Sequence, residues 1–283
     1  LAMAKEIHAG RAGSTGGIYM DATAIPIETI QKQIPHVYKT CLHRGIDITK
    51  TPLEVAPGSH TWLGGLDVDT YGQSSIPGLF AAGETAGGIH GGNRIGGSAL
   101  AASLAFGRRA GRKAAELVGS EPVSVPTLGD NAIPEAEREW LAGLMERTDG
   151  PFQGDVRMHC RMLAHDKLGP IRDENTLREA LTEYERIENE DLQTLRLSEA
   201  ARETGKGRGE EIESALSIRN LALLGRILAT AALEREESRG AHYRLDYPEP
   251  NDADWRKVTR LHHTESGGIE FSTDPVKNVA GGA

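Results

Sequence analysis

The stretch that most constrains this chain runs from residue 78 to 111, GLFAAGETAGGIHGGNRIGGSALAASLAFGRRAG. A short apolar run, GLFAAG, leads into a carboxylate, Glu84. A glycine-rich loop follows that holds His90, Asn93 and Arg94, and a helix of small residues is predicted from Ser98 to about residue 118. A strand, a glycine loop and a helix start in that order offer free backbone N–H groups and a partial positive charge to an anionic group. The pattern points to a cofactor site, and the rest of the chain reads as only half of such a site.

At 283 residues the chain has room for one large or two medium domains. A net charge of −9 argues against nucleic acid as a partner. The acidity gathers in the second half, as in EYERIENEDL, and reads as a solvated helix face. Two cysteines, Cys41 and Cys160, without a CxxC, predict neither a disulfide framework nor a metal site, and suit a reducing compartment. No apolar run is read as long enough to span a membrane, and no signal peptide is seen. The opening LAMAKEIHAG has helical apolar spacing but neither an initiating Met nor an N-cap, so residues are expected to precede it.

Residues 26–45 read as helical with a break at Pro35. Short strands are predicted around Ile18–Met20, Leu53–Val55 and Leu66–Val68, and at 78–82. SEPVSVPTLGDNAI (120–133) is rich in Pro, Ser and Gly and reads as a linker. Beyond it, Leu177, Leu181, Tyr184 and Ile187 repeat at helical spacing, as do Ile218, Leu221, Leu224 and Leu228, which predicts four-helix-like packing. TGKGRGEE (204–211) is a basic glycine turn between helices; with no preceding strand and no closing Lys-Ser/Thr it is a poor phosphate loop. The stretch from 237 to 259 is polar and aromatic with two prolines and is expected to run extended over a surface.

GLFAAGE, HGGNRIGGSAL and FGRRAG together resemble the C-terminal flavin-contacting part of the fumarate reductase/succinate dehydrogenase flavoprotein family, which includes L-aspartate oxidase and the adenylylsulfate reductase large subunit. Three more segments match in order: KEIHAGRAGSTGGIYMDAT resembles the capping domain, PGSHTWLGGLDVDTYGQSSIPGLFAAGE the substrate-binding His with its Gly-Gly strand, and EREESRGAHYRLDYPEPNDADWRKVT the end of the helical domain. The resemblance implies an α/β plus all-α fold. The C-terminal part of a capping domain (1–50) and of a Rossmann-like FAD-binding domain (51–120) would be followed by a linker (121–133), a helical bundle domain (134–245) and an extended tail (246–283). It also implies that the GxGxxG fingerprint, absent here, and the catalytic Arg of an Arg-Gly-Glu motif lie upstream, in an N-terminal FAD-binding portion.

The resemblance assigns His60 and Arg94 to substrate carboxylates. A guanidinium grips a carboxylate through two parallel hydrogen bonds, and flanking glycines let the backbone approach a flat ring closely. The family more often reads His-Tyr-Thr-Met-Gly-Gly where Thr61, Trp62 and Leu63 stand here. Glu84 is implied as an FAD contact. The amides of Ser98, Ala99 and Leu100 are implied to face the flavin pyrimidine edge, where a helix N-terminus raises electron affinity. Relatives usually have Asn-Ser-Leu there, so position 99 lacks a hydroxyl. His90 reads as structural. Arg239, His242, Tyr243, Arg244 and Trp255 read as a docking network between the helical and flavin parts. The pair His262 and His263 has no third ligand in view and is not read as a metal site.

The implied activity is hydride transfer between FAD and a small dicarboxylate of the succinate/fumarate type. The alternatives are an L-aspartate oxidase, or, for the chain alone, a non-catalytic piece lacking its FAD-binding half; adenylylsulfate reduction is disfavoured. An iron–sulfur subunit is an implied partner for membrane-complex members, and this chain has no cluster ligands of its own. The expected location is cytoplasmic, or peripheral on the cytoplasmic membrane face through partner subunits.

Overall fold

Proline can open a helix but cannot continue one, because it lacks the N–H and clashes with the preceding turn. In the computed structural model, which describes residues 1–120, 133–264 and 267–276, this rule splits the expected 26–45 helix in two. One piece is α2 (Ile27–Gln33) and the other α3 (Pro35–His43), with Pro35 at the start of the second. They follow α1 (Ala2–His8) and β1 (Ile18–Met20), which pairs antiparallel with β2 (Leu53–Val55) in the register Ile18↔Val55, Tyr19↔Glu54, Met20↔Leu53. The Glu54 carboxylate closes the glycine turn before β1, accepting the N–H groups of Thr15 at 2.9 Å and Gly17 at 3.0 Å. A small core of Ala22, Ile30 and Ile48 holds this unit together. The chain divides into two compact units, Leu1–His60 and Thr61–Ala283.

In the second unit, α4 (Ser98–Ser120) is the long helix that the small-residue run predicts. The apolar strand expected at 78–82 does not form. Phe80 makes an isolated bridge to Gln73, Leu66 bridges Ala86, and the chain passes into a 3-10 turn at Gly83–Thr85. A strand needs a continuous neighbour to pair with, and the described residues supply only single bridges here. The strand expected at Leu66–Val68 is likewise reduced to bridges. The linker expected over 121–133 falls almost wholly outside the described residues.

The helical part comprises α5 (Glu135–Glu146), α6 (Gln153–Lys167), α7 (Glu174–Arg186) running into a π turn at Ile187–Asp191, α8 (Glu199–Glu203) and α9 (Arg208–Glu234). Its core joins Leu144 of α5, Val156, Cys160 and Leu163 of α6, Leu177, Ala180 and Tyr184 of α7, and a face of α9. That face is Ala215, Ile218, Ala222, Gly225, Ala229 and Ala232. Of the stripe read from the sequence, Ile218 is buried and Leu228 packs against the core, whereas Leu221 and Leu224 stand exposed. Small residues let α9 approach its neighbours closely, and a Cβ on Gly225 would collide with the Tyr184 ring. The Tyr184 hydroxyl then reaches the Cys160 carbonyl at 3.1 Å.

By length and composition α9 is apolar enough to cross a membrane, which corrects the expectation that no run is. In this fold it is the central core helix, and the two arginines in its middle are paired across the bundle: Arg219 grips both oxygens of Glu137 at 2.6 and 2.7 Å, and Arg226 lies 2.8 Å from Glu188.

The C-terminal stretch is more regular than the extended tail expected. After α10 (Asp252–Trp255), β3 (Lys257–His263) and β4 (Ile269–Pro275) form an antiparallel hairpin, Lys257↔Pro275 through His263↔Ile269. The hairpin packs on α9.

Candidate functional site

The segment 61–100 is shaped by one glycine that no other residue replaces. Gly65 has φ +152°, and a Cβ there would collide with the Thr85 carbonyl. Its backbone therefore lies directly on the 83–87 turn, with Leu66 N–H donating to Thr85 O at 2.8 Å and Gly87 N–H to Leu66 O at 2.9 Å. The Glu84 carboxylate, carried by that turn, accepts the Trp62 N–H at 2.7 Å. Glu84 thus anchors the loop that follows His60. His60 itself is solvent-exposed at the end of the first unit.

Arg94 sits four residues before α4. The Ile95 carbonyl is a node in this loop, accepting the Ser98 Oγ–H at 2.7 Å, the Ser98 N–H at 3.2 Å and Arg94 Nη1–H at 3.4 Å. The last bond is long, and the buried Arg94 Nε has no hydrogen-bond partner among the described residues. A desolvated guanidinium N–H without an acceptor is costly unless a ligand supplies one. Beside it Ile95 is 80% exposed and Leu100 71% exposed. The first turn of α4, with the amides of Ala99 and Leu100, lacks intrahelical acceptors by construction of any helix.

These residues fit a flavin. Gly96 has no positive φ and a Cβ there would meet nothing within 4 Å, so neither backbone conformation nor the chain's own packing demands a glycine. Open space above a glycine, an exposed apolar flank and a helix N-terminus suit a flat ring that gathers negative charge on one edge. Glu84, on the turn, and Ser98, Ala99 and Leu100, on the helix that packs against it, lie within this one unit, with Arg94 in the loop between them.

The network read from ESRGAHYR docks on the same loop. Ala241 N–H donates to Gly92 O at 2.9 Å. Arg244, almost fully buried, caps α9 by donating Nη1–H to the carbonyls of Ala232 and Leu233, both at 2.8 Å, and holds Asp246 bidentately. His242 lies between Arg172 Nη1 and the Arg235 carbonyl, both at 3.2 Å. Burial first, then the neighbouring Arg172, pushes its pKa down to about 4. The imidazole is therefore neutral, Nδ1 accepting from Arg172 and Nε2–H donating to Arg235 O. Glu237 is the residue that sequence reasoning misses. Its burial pushes its carboxyl up, but hydrogen bonds from Arg239, the Asn251 N–H and Arg235 outweigh that and hold it at about 2.

Comparison with known proteins defines the class first: residues 2–100 match the FAD binding domain model and 157–280 the fumarate reductase flavoprotein C-terminal model. The chain is 34% identical over 260 residues to an uncharacterized FAD-dependent oxidoreductase of Methanocaldococcus jannaschii, covering 90% of this chain and 44% of that protein. It is 33% identical to a subunit of the fumarate reductase (CoM/CoB) of Methanothermobacter marburgensis, over 91% of this chain and 45% of that one. It is equally 33% identical to the L-aspartate oxidase of Caulobacter vibrioides, over 94% and 43%. Among solved structures, a chain of the Mycobacterium smegmatis Sdh1 complex in the apo form superposes with TM-score 0.81 at 34% identity, covering 98% of this chain and 46% of that chain. The chain belongs to the fumarate reductase/succinate dehydrogenase flavoprotein family, a family of FAD-dependent oxidoreductases. It spans less than half the length of these relatives.

Proposed function

We propose that this chain is the substrate-clamping and flavin-edge part of an oxidoreductase that moves a hydride between FAD and a small dicarboxylate of the succinate/fumarate type. The observation that carries the reading is Arg94: a lone arginine in a glycine loop at a helix start, its fork held among the described residues by no more than a long bond of 3.4 Å to the Ile95 carbonyl. Bound FAD supplies the hydride acceptor or donor. Arg94 grips a substrate carboxylate through its planar fork, fixing the carbon skeleton for transfer. The amides of Ala99 and Leu100 stabilise negative charge at the flavin pyrimidine edge, the Ser98 N–H being taken by the Ile95 carbonyl at 3.2 Å, and Glu84 fixes the loop at its side.

In this reading residues 1–50 complete a capping domain, 51–120 an FAD-binding domain and 134–245 a helical domain. The adenine and pyrophosphate of FAD are held by a portion of the protein upstream of this chain. An iron–sulfur subunit is the proposed partner, and the proposed location is cytoplasmic or peripheral to the membrane through that partner. The Caulobacter L-aspartate oxidase is as similar as the Methanothermobacter fumarate reductase chain, which makes an amino dicarboxylate the second substrate class.

The test is the flavin absorbance of the purified chain after incubation with FAD, beside a longer form carrying the upstream portion. The longer form is expected to turn yellow and this chain to stay colourless. Succinate, fumarate and aspartate assays on the longer form then separate the substrate classes, and stoichiometric FAD binding by this chain alone would overturn the division of the site. Arg94→Ala in the longer form is expected to keep flavin and lose dicarboxylate turnover; normal turnover removes Arg94 from the site.

A further inference from the structure

A loop built of glycines does not hold its own shape, since it has few side chains to pack and many backbone states to lose. The loop around Arg94 is of this kind: Gly91 and Gly96 meet nothing within 4 Å of an added Cβ. Gly92, between them, is clamped. Its carbonyl accepts the Ala241 N–H at 2.9 Å, and a Cβ on it would lie 3.5 Å from Arg239 Cγ. From the other side Gly240, with φ +63°, presses its backbone onto the same residue. A Cβ on Gly240 would collide with the Gly92 carbonyl and stand 3.2 Å from Asn93 Cβ.

The clamping turn is itself held from within. Arg239 N–H donates to His242 O at 2.8 Å and His242 N–H returns to Arg239 O at 3.0 Å. The fully buried Glu237 takes both Arg235 Nε–H at 3.0 Å and Nη2–H at 2.7 Å, two bonds from Arg239 at 2.9 Å, and the Asn251 N–H at 2.9 Å. Asp252 holds the second face of Arg239 at 2.5 Å. Burying a carboxylate between two guanidiniums is an inefficient way to stabilise a fold, because desolvation offsets most of the attraction. It is an efficient way to hold one geometry, since the planar forks accept few alternatives.

Resting on the reading that Arg94 grips a substrate carboxylate, we propose that the turn Glu237–His242 positions Arg94, with Arg239 and Gly240 as positioning residues that fix the loop through Gly92. None of them touches substrate in this role. Their effect is to remove the conformational freedom that the glycines give the loop, so that binding does not have to supply that ordering.

The experiment uses the FAD-loaded protein that carries this chain, with succinate titrated against the flavin absorbance and amide hydrogen exchange followed over residues 91–97. Gly240→Ala is expected to weaken succinate binding roughly 10- to 100-fold, to speed exchange in that segment, and to leave flavin content unchanged. Gly207→Ala is the control, because Gly207 also has positive φ, +71°, yet an added Cβ there meets nothing within 4 Å. It is expected to leave both readouts alone. If Gly240→Ala does not fold, Arg239→Ala carries the test, since Glu237 keeps Arg235 and the Asn251 N–H. Unchanged binding and exchange in these variants, with Arg94→Ala abolishing binding, overturn the positioning role and leave the reading of Arg94 standing. Unchanged binding in Arg94→Ala overturns both.

Discussion

The ring of Tyr184 occupies the space that a side chain on Gly225 would need, and its hydroxyl ends on the carbonyl of Cys160. One aromatic residue of α7 thereby sets the spacing to α9 and the alignment with α6. Gly225→Val is expected to cost about 3 kcal/mol of unfolding free energy, the upper range for forcing volume into a packed core. Urea denaturation of wild type and variant measures it. A loss below about 1 kcal/mol would mean that the two helices move apart freely.

Arg244 joins the end of α9 to Asp246 while almost fully buried. Arg244→Met removes the cap on Ala232 and Leu233 and strands the Asp246 carboxylate. The expected cost is about 3–5 kcal/mol, as for breaking one side of a buried pair. The double variant Arg244→Met/Asp246→Leu is expected to recover part of that loss, because no unpaired charge is left behind.

Acid weakens the turn at Glu237–His242 in two stages. His242 has a folded pKa of about 4, below the usual 6.5 for histidine, so the unfolded chain binds the proton first. Its contribution is complete above about pH 6.5 and is lost as pH falls toward 4. Glu237, at about 2 in the fold against an ordinary 4.5, then contributes a second loss below about pH 4.5. Melting temperature against pH is expected to fall from about 6.5 downward, and His242→Gln to flatten the upper stage. A His242→Gln profile identical to wild type between about pH 6.5 and 4 contradicts the burial of a neutral imidazole.

Arg94→Lys separates geometry from charge at the proposed carboxylate grip. Lysine keeps one positive charge but not the planar fork. The expected result in the FAD-loaded protein is a KM for dicarboxylate raised roughly tenfold or more, the loss of one charged hydrogen bond. An unchanged KM would show that only net charge matters at this position.

Local chemistry is legible in the sequence wherever a single residue dictates it. Pro35 divides α2 from α3, Ser98 opens α4, and the glycine loop stands where its spelling places it. Packing is less legible. Apolar periodicity marks Ile218, Leu221, Leu224 and Leu228 on α9, but the buried face runs through Ile218 and the small residues Ala215, Ala222, Gly225, Ala229 and Ala232. Only the partner's shape, Tyr184, decides between them. The strand at 78–82 fails to form for a related reason: strand propensity is expressed only where a neighbouring strand completes the ladder. At the site, Arg94 and Glu84 stand out through their motif. Glu237 does not, because a carboxylate in the run EREE reads as solvated until the chain folds it in between Arg235 and Arg239.

The hydrogen bond from Ala241 to Gly92 ties the loop before Arg94 to the end of the helical core. Whatever tightens that loop is then, thermodynamically, a ligand of the bundle as well. On the proposed reading of Arg94, a saturating dicarboxylate would stabilise the native state by mass action, and the bond would transmit that gain to helices that never meet the small molecule. On the same reading, heat or a destabilising change in the bundle, such as one at Gly225, would loosen the grip on substrate in return, so that affinity and melting temperature rise and fall together.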